Sequence, residues 1–282
     1  MKLGTFLYFP SEGADEALIK EKFRYLAECG FSACQIVYKP RCYKSEDAKK
    51  VGEYIAKYSS EYGIDLSAQF CGFYDAETVW DNYYGFLTAG INVEAYKQSR
   101  IAYIKSAAEF AHSLGIEDVI THAGFVPNNP FSPEYTSMLA AVNSIALYLK
   151  KMEMNLLFET GGESPIVLKR LIEDVGMDNL YINFDPANIF MYGYGNATDA
   201  LEVFGKYVRN MHGKDGMLPT DTRKIGVETP MGKGKVDFPA IIKKFREIGY
   251  DRYIIIEREI SGEQQKIDIL AAKQYLEGLL AE

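Results

Sequence analysis

The chain has 282 residues, 48% of them hydrophobic and 25% charged, with a formal net charge of −8. That balance describes a folded, soluble chain and argues against a nucleic-acid partner, whose phosphates demand clustered Lys and Arg. Cys29, Cys34, Cys42 and Cys71 form no C-x-x-C pair and no small secreted framework, and the start MKLGTFLYFP is too brief an apolar run for a signal segment or a membrane span. Reduced thiols and a cytoplasmic location are expected.

From the N-terminus the apolar pattern alternates between two periods. KLGTFLYF reads as a strand, EALIKEKFRYLAEC as a helix, ACQIVY as a strand, SEDAKKVGEYIAKYSSEY as a helix and DLSAQF as a strand. CGFYDAETVWDNYYGFLTAGIN follows, long, aromatic and without helical spacing, and then AYKQSRIAYIKSAAEFAHSL returns to the helical period. The strand EDVITHAG, the helix YTSMLAAVNSIALYLKKM, the strand NLLFET, the helix SPIVLKRLIEDV and the strand LYINFDP come next. TDALEVFGK is a weaker helix, YVRNMHG a strand, DFPAIIKKFREI a helix and RYIIIERE a strand. Strands alternating with helices imply a parallel sheet covered by helices, and eight such units within this length predict a single-domain (β/α)8 TIM barrel over residues 1–282. An open doubly wound sheet is the alternative topology. No linker or low-complexity tract divides the chain.

Active sites of such barrels gather at the C-terminal ends of the strands. Here those ends carry His122, Glu159, Asp185, His212 and Glu257. A single Glu or His at a strand end is usually an ion-pair or packing residue. Carboxylates and an imidazole on successive ends would each carry a separate burial cost, which one shared divalent cation removes. Two Glu, one Asp and one His make a hard, mostly oxygen donor set suited to Mn2+ or Mg2+, with Zn2+ or Co2+ as further options.

LLFETGG, NFDPANIF, NMHGKDG, PMGKGKVDF and YIIIEREISG together resemble the xylose isomerase-like barrel superfamily, closest to its bacterial sugar-phosphate isomerase/epimerase class. The resemblance covers the whole chain and is strongest from 118 to 262. It implies that Glu159, Asp185, His212 and Glu257 hold the catalytic ion and that the two glutamates work on opposite faces of a sugar. The substrate it implies is a small sugar or sugar phosphate. Ketose 3-epimerases and DNA-repair endonucleases of the superfamily carry His three residues after the strand-6 Asp. Asn188 stands there in this chain, which withholds any particular sugar specificity. The endonuclease's multi-zinc cluster needs more His than His112, His122 and His212 supply.

A divalent ion chelating a carbonyl and a neighbouring hydroxyl acidifies the intervening C–H and stabilises the enediolate. Glu159 and Glu257 then serve as the acid/base pair, for isomerisation, epimerisation or, by the same first step, dehydration of a keto-inositol or keto-sugar. A catalytically silent binding barrel is the reading from a different class. His122, Lys214, Asn188 and Trp80 are the candidate substrate contacts. The stretch from Phe73 to Gly90 is expected to cover the pocket, its alternative being packing on the rim or against a second subunit. The run GKGK, residues 232–235, offers amides and two cations as a weak phosphate clamp, and Arg258 is expected to pair outward with a helix. A homo-oligomer is left open.

Overall fold

A computed structural model describes residues 1–9, 14–39, 47–73 and 77–282. Cys42 and residues 74–76 of the aromatic stretch therefore lie outside the described residues. The strands are β1 (Lys2–Leu7), β2 (Ala33–Val37), β3 (Asp65–Phe70), β4 (Asp118–His122), β5 (Asn155–Glu159), β6 (Leu180–Phe184), β7 (Val208–Gly213) and β8 (Tyr253–Ile256). All pair in parallel and close in the order β1-β8-β7-β6-β5-β4-β3-β2, the (β/α)8 barrel that the alternating pattern predicts.

Around the barrel run α1 (Glu16–Glu28), α2 (Asp47–Tyr62), α3 (Gly85–Thr88), α4 (Lys97–Ser113), α5 (Pro133–Lys150), α6 (Pro165–Val175), α7 (Pro186–Met191), α8 (Ala197–Phe204), α9 (Phe238–Glu247) and α10 (Glu263–Ala281). Polar caps start several of them: Asp15 accepts from Leu18 N at 2.8 Å, Ser132 from Tyr135 N at 3.2 Å and Asp237 from Ala240 N at 3.0 Å. The pattern above did not predict α10. Its apolar residues are spread around the axis, with Ala272 and Leu276 buried and Ile267 and Tyr275 exposed, so no stripe stands out. Among the described residues no helix is long and apolar enough to cross a membrane.

Period-two alternation divides the strands between two cores. Side chains such as Ile104, Phe158 and Phe184 fill the layer between strands and helices, each fully buried. Burial of a Phe or Ile contributes roughly 1.5–3 kcal/mol. The other face fills the barrel lumen, where Phe6, Val37, Phe70, Ile120, Leu157 and Ile255 form a second cluster. Towards the C-terminal ends that same face turns polar, bringing Gln35, Asn183, Glu159 and His212 into the interior.

Two loops shape the C-terminal mouth. The segment after β3 approaches the β4 loop so closely that a Cβ on Gly90 would stand 2.4 Å from Gly124 Cα, and both glycines have positive φ. From there it reaches the opposite side of the barrel: Asn82 donates through its backbone N to Arg223 O at 3.2 Å and through Nδ2 to Lys224 O at 3.1 Å. The loop after β7 folds into a two-stranded ribbon, Asp215–Gly216 against Glu228–Thr229.

Candidate functional site

Glu159 ends β5 and Asp185 follows β6, and Thr160 laces the two ends together. Its Oγ1 donates to Asp185 O at 2.8 Å and accepts from Asp185 N at 2.8 Å. Asp185 also caps α7, accepting from Asn188 N through Oδ1 at 2.9 Å, with Pro186 in the first helical turn. Oδ2 is thereby left facing the lumen. His212 Nδ1 lies 2.8 Å from Glu159 Oε1, 3.2 Å from Glu257 Oε2 and 3.9 Å from Asp185 Oδ2. One ligand-type atom from each of Glu159, Asp185, His212 and Glu257 lies within 4.8 Å of the others, and all four residues are buried.

The donor set was tested on its own hydrogen bonding. Glu159 Oε2, Asp185 Oδ2 and Glu257 Oε2 are buried and accept no well-aligned hydrogen bond, although His122 Nε2, Lys214 Nζ and His212 Nδ1 approach them at 3.1, 3.5 and 3.2 Å as ion-pair neighbours. Oxygens left so are costly in a dry interior, and a divalent cation is the partner that satisfies all of them together. Opposed ligands of an ion with bonds of about 2.1 Å stand about 4.2 Å apart, so the cluster closes on such an ion by small side-chain rotations. The residues present fit a divalent metal.

Electrostatics separates the two glutamates. Burial raises the Glu159 carboxyl above its ordinary range, a rise that His212 only partly offsets. Burial opposes ionisation of Glu257 too, but Lys214 and His212 outweigh it and hold that carboxyl low. Burial works against a charge on His212, yet Glu159 and Glu257 push the imidazole up to about 10. The His122 imidazole, depressed to about 3 by burial and by Lys214, is neutral. Lys214 stays charged because Glu257, Glu259 and Asp185 override the burial penalty.

Above this floor opens a cavity of about 620 Å3. Trp80, His122, Glu159, Asn188, Lys214 and Glu257 line it, while Asp185 and His212 lie beneath, fully buried. The structure thus gathers every candidate residue from the sequence at one end of the barrel. His122 Nε2 stands 3.1 Å from Glu159 Oε2, and the Trp80 ring packs on the His122 ring at 4.4 Å between centroids. Asn188 bridges the floor, its Nδ2 3.4 Å from Glu159 Oε1 and its Oδ1 accepting from Lys214 Nζ at 3.3 Å. Arg258 pairs outward with Asp268 of α10 at 2.7 Å and with Glu228 at 2.8 Å.

The GKGK amides do not face the cavity. Asp215, almost wholly buried, accepts from Gly216 N, Gly232 N, Gly234 N and Val236 N at 2.8–3.1 Å. A Cβ on Gly234 would stand 2.1 Å from Asp215 Oδ1, which explains a glycine there without any phosphate. That reading of residues 232–235 is corrected: the N–H groups of Gly232 and Gly234 are engaged by this carboxylate, and those of Lys233 and Lys235 by Pro230 O and Gly216 O.

Three cavity or floor residues escaped the sequence reading. Gln35, fully buried in β2, faces His212 Nε2 through Oε1 at 2.9 Å. Its signal was present, as the one amide inside the apolar run ACQIV. Tyr8 continues the lumen-facing alternation of Phe6 and stacks on it at 5.5 Å. Tyr192 lines the cavity from just beyond α7 and had no pattern to mark it.

A family model described as the xylose isomerase-like TIM barrel matches residues 23–279. The chain belongs to that family. Within the fold it is similar to the xylose isomerase domain protein from Planctomyces limnophilus, with a TM-score of 0.87, 29% identity and coverage of 99% of this chain and 96% of that one. A D-tagatose 3-epimerase-like protein superposes with a TM-score of 0.72 at 21% identity, over 100% of this chain and 97% of that one. Inosose dehydratase from Lacticaseibacillus casei is 22% identical over 206 residues, 62% of this chain and 67% of that protein.

Proposed function

We propose that this protein, as one domain over residues 1–282, is a divalent-metal-dependent isomerase or epimerase of a small sugar or sugar phosphate. The observation that carries the reading is the pair Glu159 and Glu257. Both lie within 3.2 Å of His212 Nδ1, both keep an oxygen that accepts no well-aligned hydrogen bond, and both open onto the cavity. A site that only held an ion or a sugar needs no two such carboxylates open to the same cavity.

Glu159, Asp185, His212 and Glu257 would hold the metal, for which a hard set of three carboxylates and one imidazole favours Mn2+ or Mg2+. When bound, the ion supplies Lewis-acid polarisation of a carbonyl and its neighbouring hydroxyl. Glu257, with an oxygen open to the cavity, is the base that takes a proton from the carbon beside that carbonyl. Glu159, across the ion from it, is the group that returns a proton, so that the pair serves as acid and base. The Lys214 ammonium and the His122 imidazole face the same space and orient substrate oxygens. Trp80 and Tyr8 present ring faces that suit the C–H surfaces of a sugar.

A second reading shares the first step. Elimination of water from a keto-inositol begins with the same proton abstraction, and likeness to inosose dehydratase favours testing it. The experiment is turnover of ketoses, keto-inositols and their phosphates with Mn2+ in D2O, followed by NMR. Deuterium entering the abstracted carbon with recovery of an epimer or isomer supports the first reading, and loss of water the second. Glu159→Gln and Glu257→Gln should each lower kcat by about 10²-fold or more. Near-normal turnover in both metal-loaded variants would refute the assignment of the proton to these residues.

A further inference from the structure

We infer that Glu228, on the ribbon after β7, is a positioning residue that sets the Lys214 ammonium over the floor of the site, acting through Glu259. Lys214 is 2% exposed and is held from both ends. At its backbone end the chain runs directly into Asp215, whose carboxylate is fixed by the N–H groups of Gly216, Gly232, Gly234 and Val236. At its ammonium end the nearest carboxylate is Glu259 Oε1, 2.9 Å away, ahead of Asp185 and Glu257 at 3.5 Å.

Glu259 would not hold that position unaided, because its side chain is 52% exposed and follows the end of β8. Glu228 supplies the restraint. Both of its carboxylate oxygens accept from Glu259 N at 3.0 Å, and one also accepts from Arg258 Nη1 at 2.8 Å. The Glu228 side chain is itself 9% exposed and sits on the ribbon strand paired with Asp215–Gly216. Residues 214–216, 228 and 257–259 therefore form one closed bracket, in which the ribbon fixes where Lys214 begins and Glu228, through Glu259, fixes where its charge ends. Without the bracket the ammonium of a long, four-carbon side chain would sample several rotamers.

Lys214 acting on substrate rests on the proposed function, whereas its restraint by Glu228 is a property of the folded chain, and two arms keep these apart. The first arm is brief reductive methylation with formaldehyde and borohydride, quantified by mass spectrometry at Lys214 and at exposed Lys206. Lys214 in the unaltered protein should be among the slowest lysines. Glu228→Gln and Glu259→Gln should each speed it by about tenfold, the size of one lost charge-assisted contact, with Lys206 unchanged. A folded variant of either kind that leaves Lys214 protected overturns the proposal whether or not a substrate is known. Parallel acceleration at Lys206 would reveal unfolding of Glu228→Gln, and Glu259→Gln, altered at a half-exposed side chain, then decides. The second arm is a double-mutant cycle on turnover with Mn2+. Glu228→Gln should lower kcat by about tenfold alone and by less than about twofold when added to Lys214→Met. An equal loss in both backgrounds would make Glu228 a general structural residue and overturn its positioning role.

Discussion

Replacement of Gln35 by Met tests the metal reading at a residue that touches no candidate ligand atom on its ion-facing side. Gln35 Oε1 stands 2.9 Å from His212 Nε2, beside Asn183 Nδ2 at 3.1 Å, and by accepting the Nε2 proton would leave Nδ1, 2.8 Å from Glu159 and 3.2 Å from Glu257, as the nitrogen for an ion. Methionine has nearly the same length and no acceptor. A buried donor left without an acceptor costs about 1–3 kcal/mol, and loss of such an outer partner typically weakens metal affinity by about 10–100-fold. At a Mn2+ concentration of about 100 times the original Kd, the unaltered protein gains about 2.7 kcal/mol from the ion. A variant binding about 30-fold more weakly gains only about 0.9 kcal/mol at that concentration. With about 2–4 °C per kcal/mol for a chain of this size, the Mn2+-induced rise in Tm should shrink by roughly 4–7 °C. Calorimetric titration and thermal melts with and without Mn2+ measure both quantities. Equal affinity and an equal Tm rise in Gln35→Met would refute the claim that this amide fixes the His212 tautomer for metal binding.

Metal binding should release protons, because His212 keeps its proton up to about pH 10 and Nδ1 must lose it to coordinate. Since Glu159 is raised as well, affinity for Mn2+ is expected to rise by about one to two log units per pH unit between pH 6 and 8, measured by calorimetry in buffers of different ionisation enthalpy; a flat profile would count against both residues as ligands. In the metal-free protein, His122 is depressed to about 3 while an unfolded His titrates near 6.5, so the unfolded chain binds the extra proton between these values and stability falls as pH drops through that window. By pH 5 the loss from this residue is about 2 kcal/mol, and His122→Asn should remove that much of the slope in urea melts. Asn82→Ala deletes a side-chain bond that ties the β3 loop to the β7 loop, and hydrogen exchange in residues 79–88 and 218–225 should speed by roughly tenfold with the barrel strands unaffected. Unchanged exchange there would mean that the two loops are held by other contacts.

The barrel was legible because its strands are short and most are followed by a helix of clear period, the helices after β6 and β8 being the weaker ones. KLGTFLYF through RYIIIERE map onto β1 to β8 with shifts only at their ends. The strand-end residues were legible for a physical reason: charge at the close of an apolar run is conspicuous against its neighbours. Gln35 was harder to see, since an uncharged amide within a strand looks tolerable until its partner on β7 is known. The ribbon after β7 was misread in its chemistry. PMGKGKV advertises free amides, and only the fold reveals that Asp215, in a different motif, has already engaged them. Long-range partners of loops leave no local period, whereas the faces of strands and helices do.

Asp185 serves two neighbours with one carboxyl group, as Oδ1 satisfies the N–H of Asn188 while Oδ2 remains for the floor. An asparagine in its place would satisfy the helix equally well and give the floor a neutral amide edge. Asp185→Asn should therefore keep the fold while weakening Mn2+ binding, which would separate the two roles by exchanging a single oxygen for nitrogen. The same division constrains drift over time: selection for a shaped barrel alone tolerates either residue at 185, and only selection for the ion retains the acid.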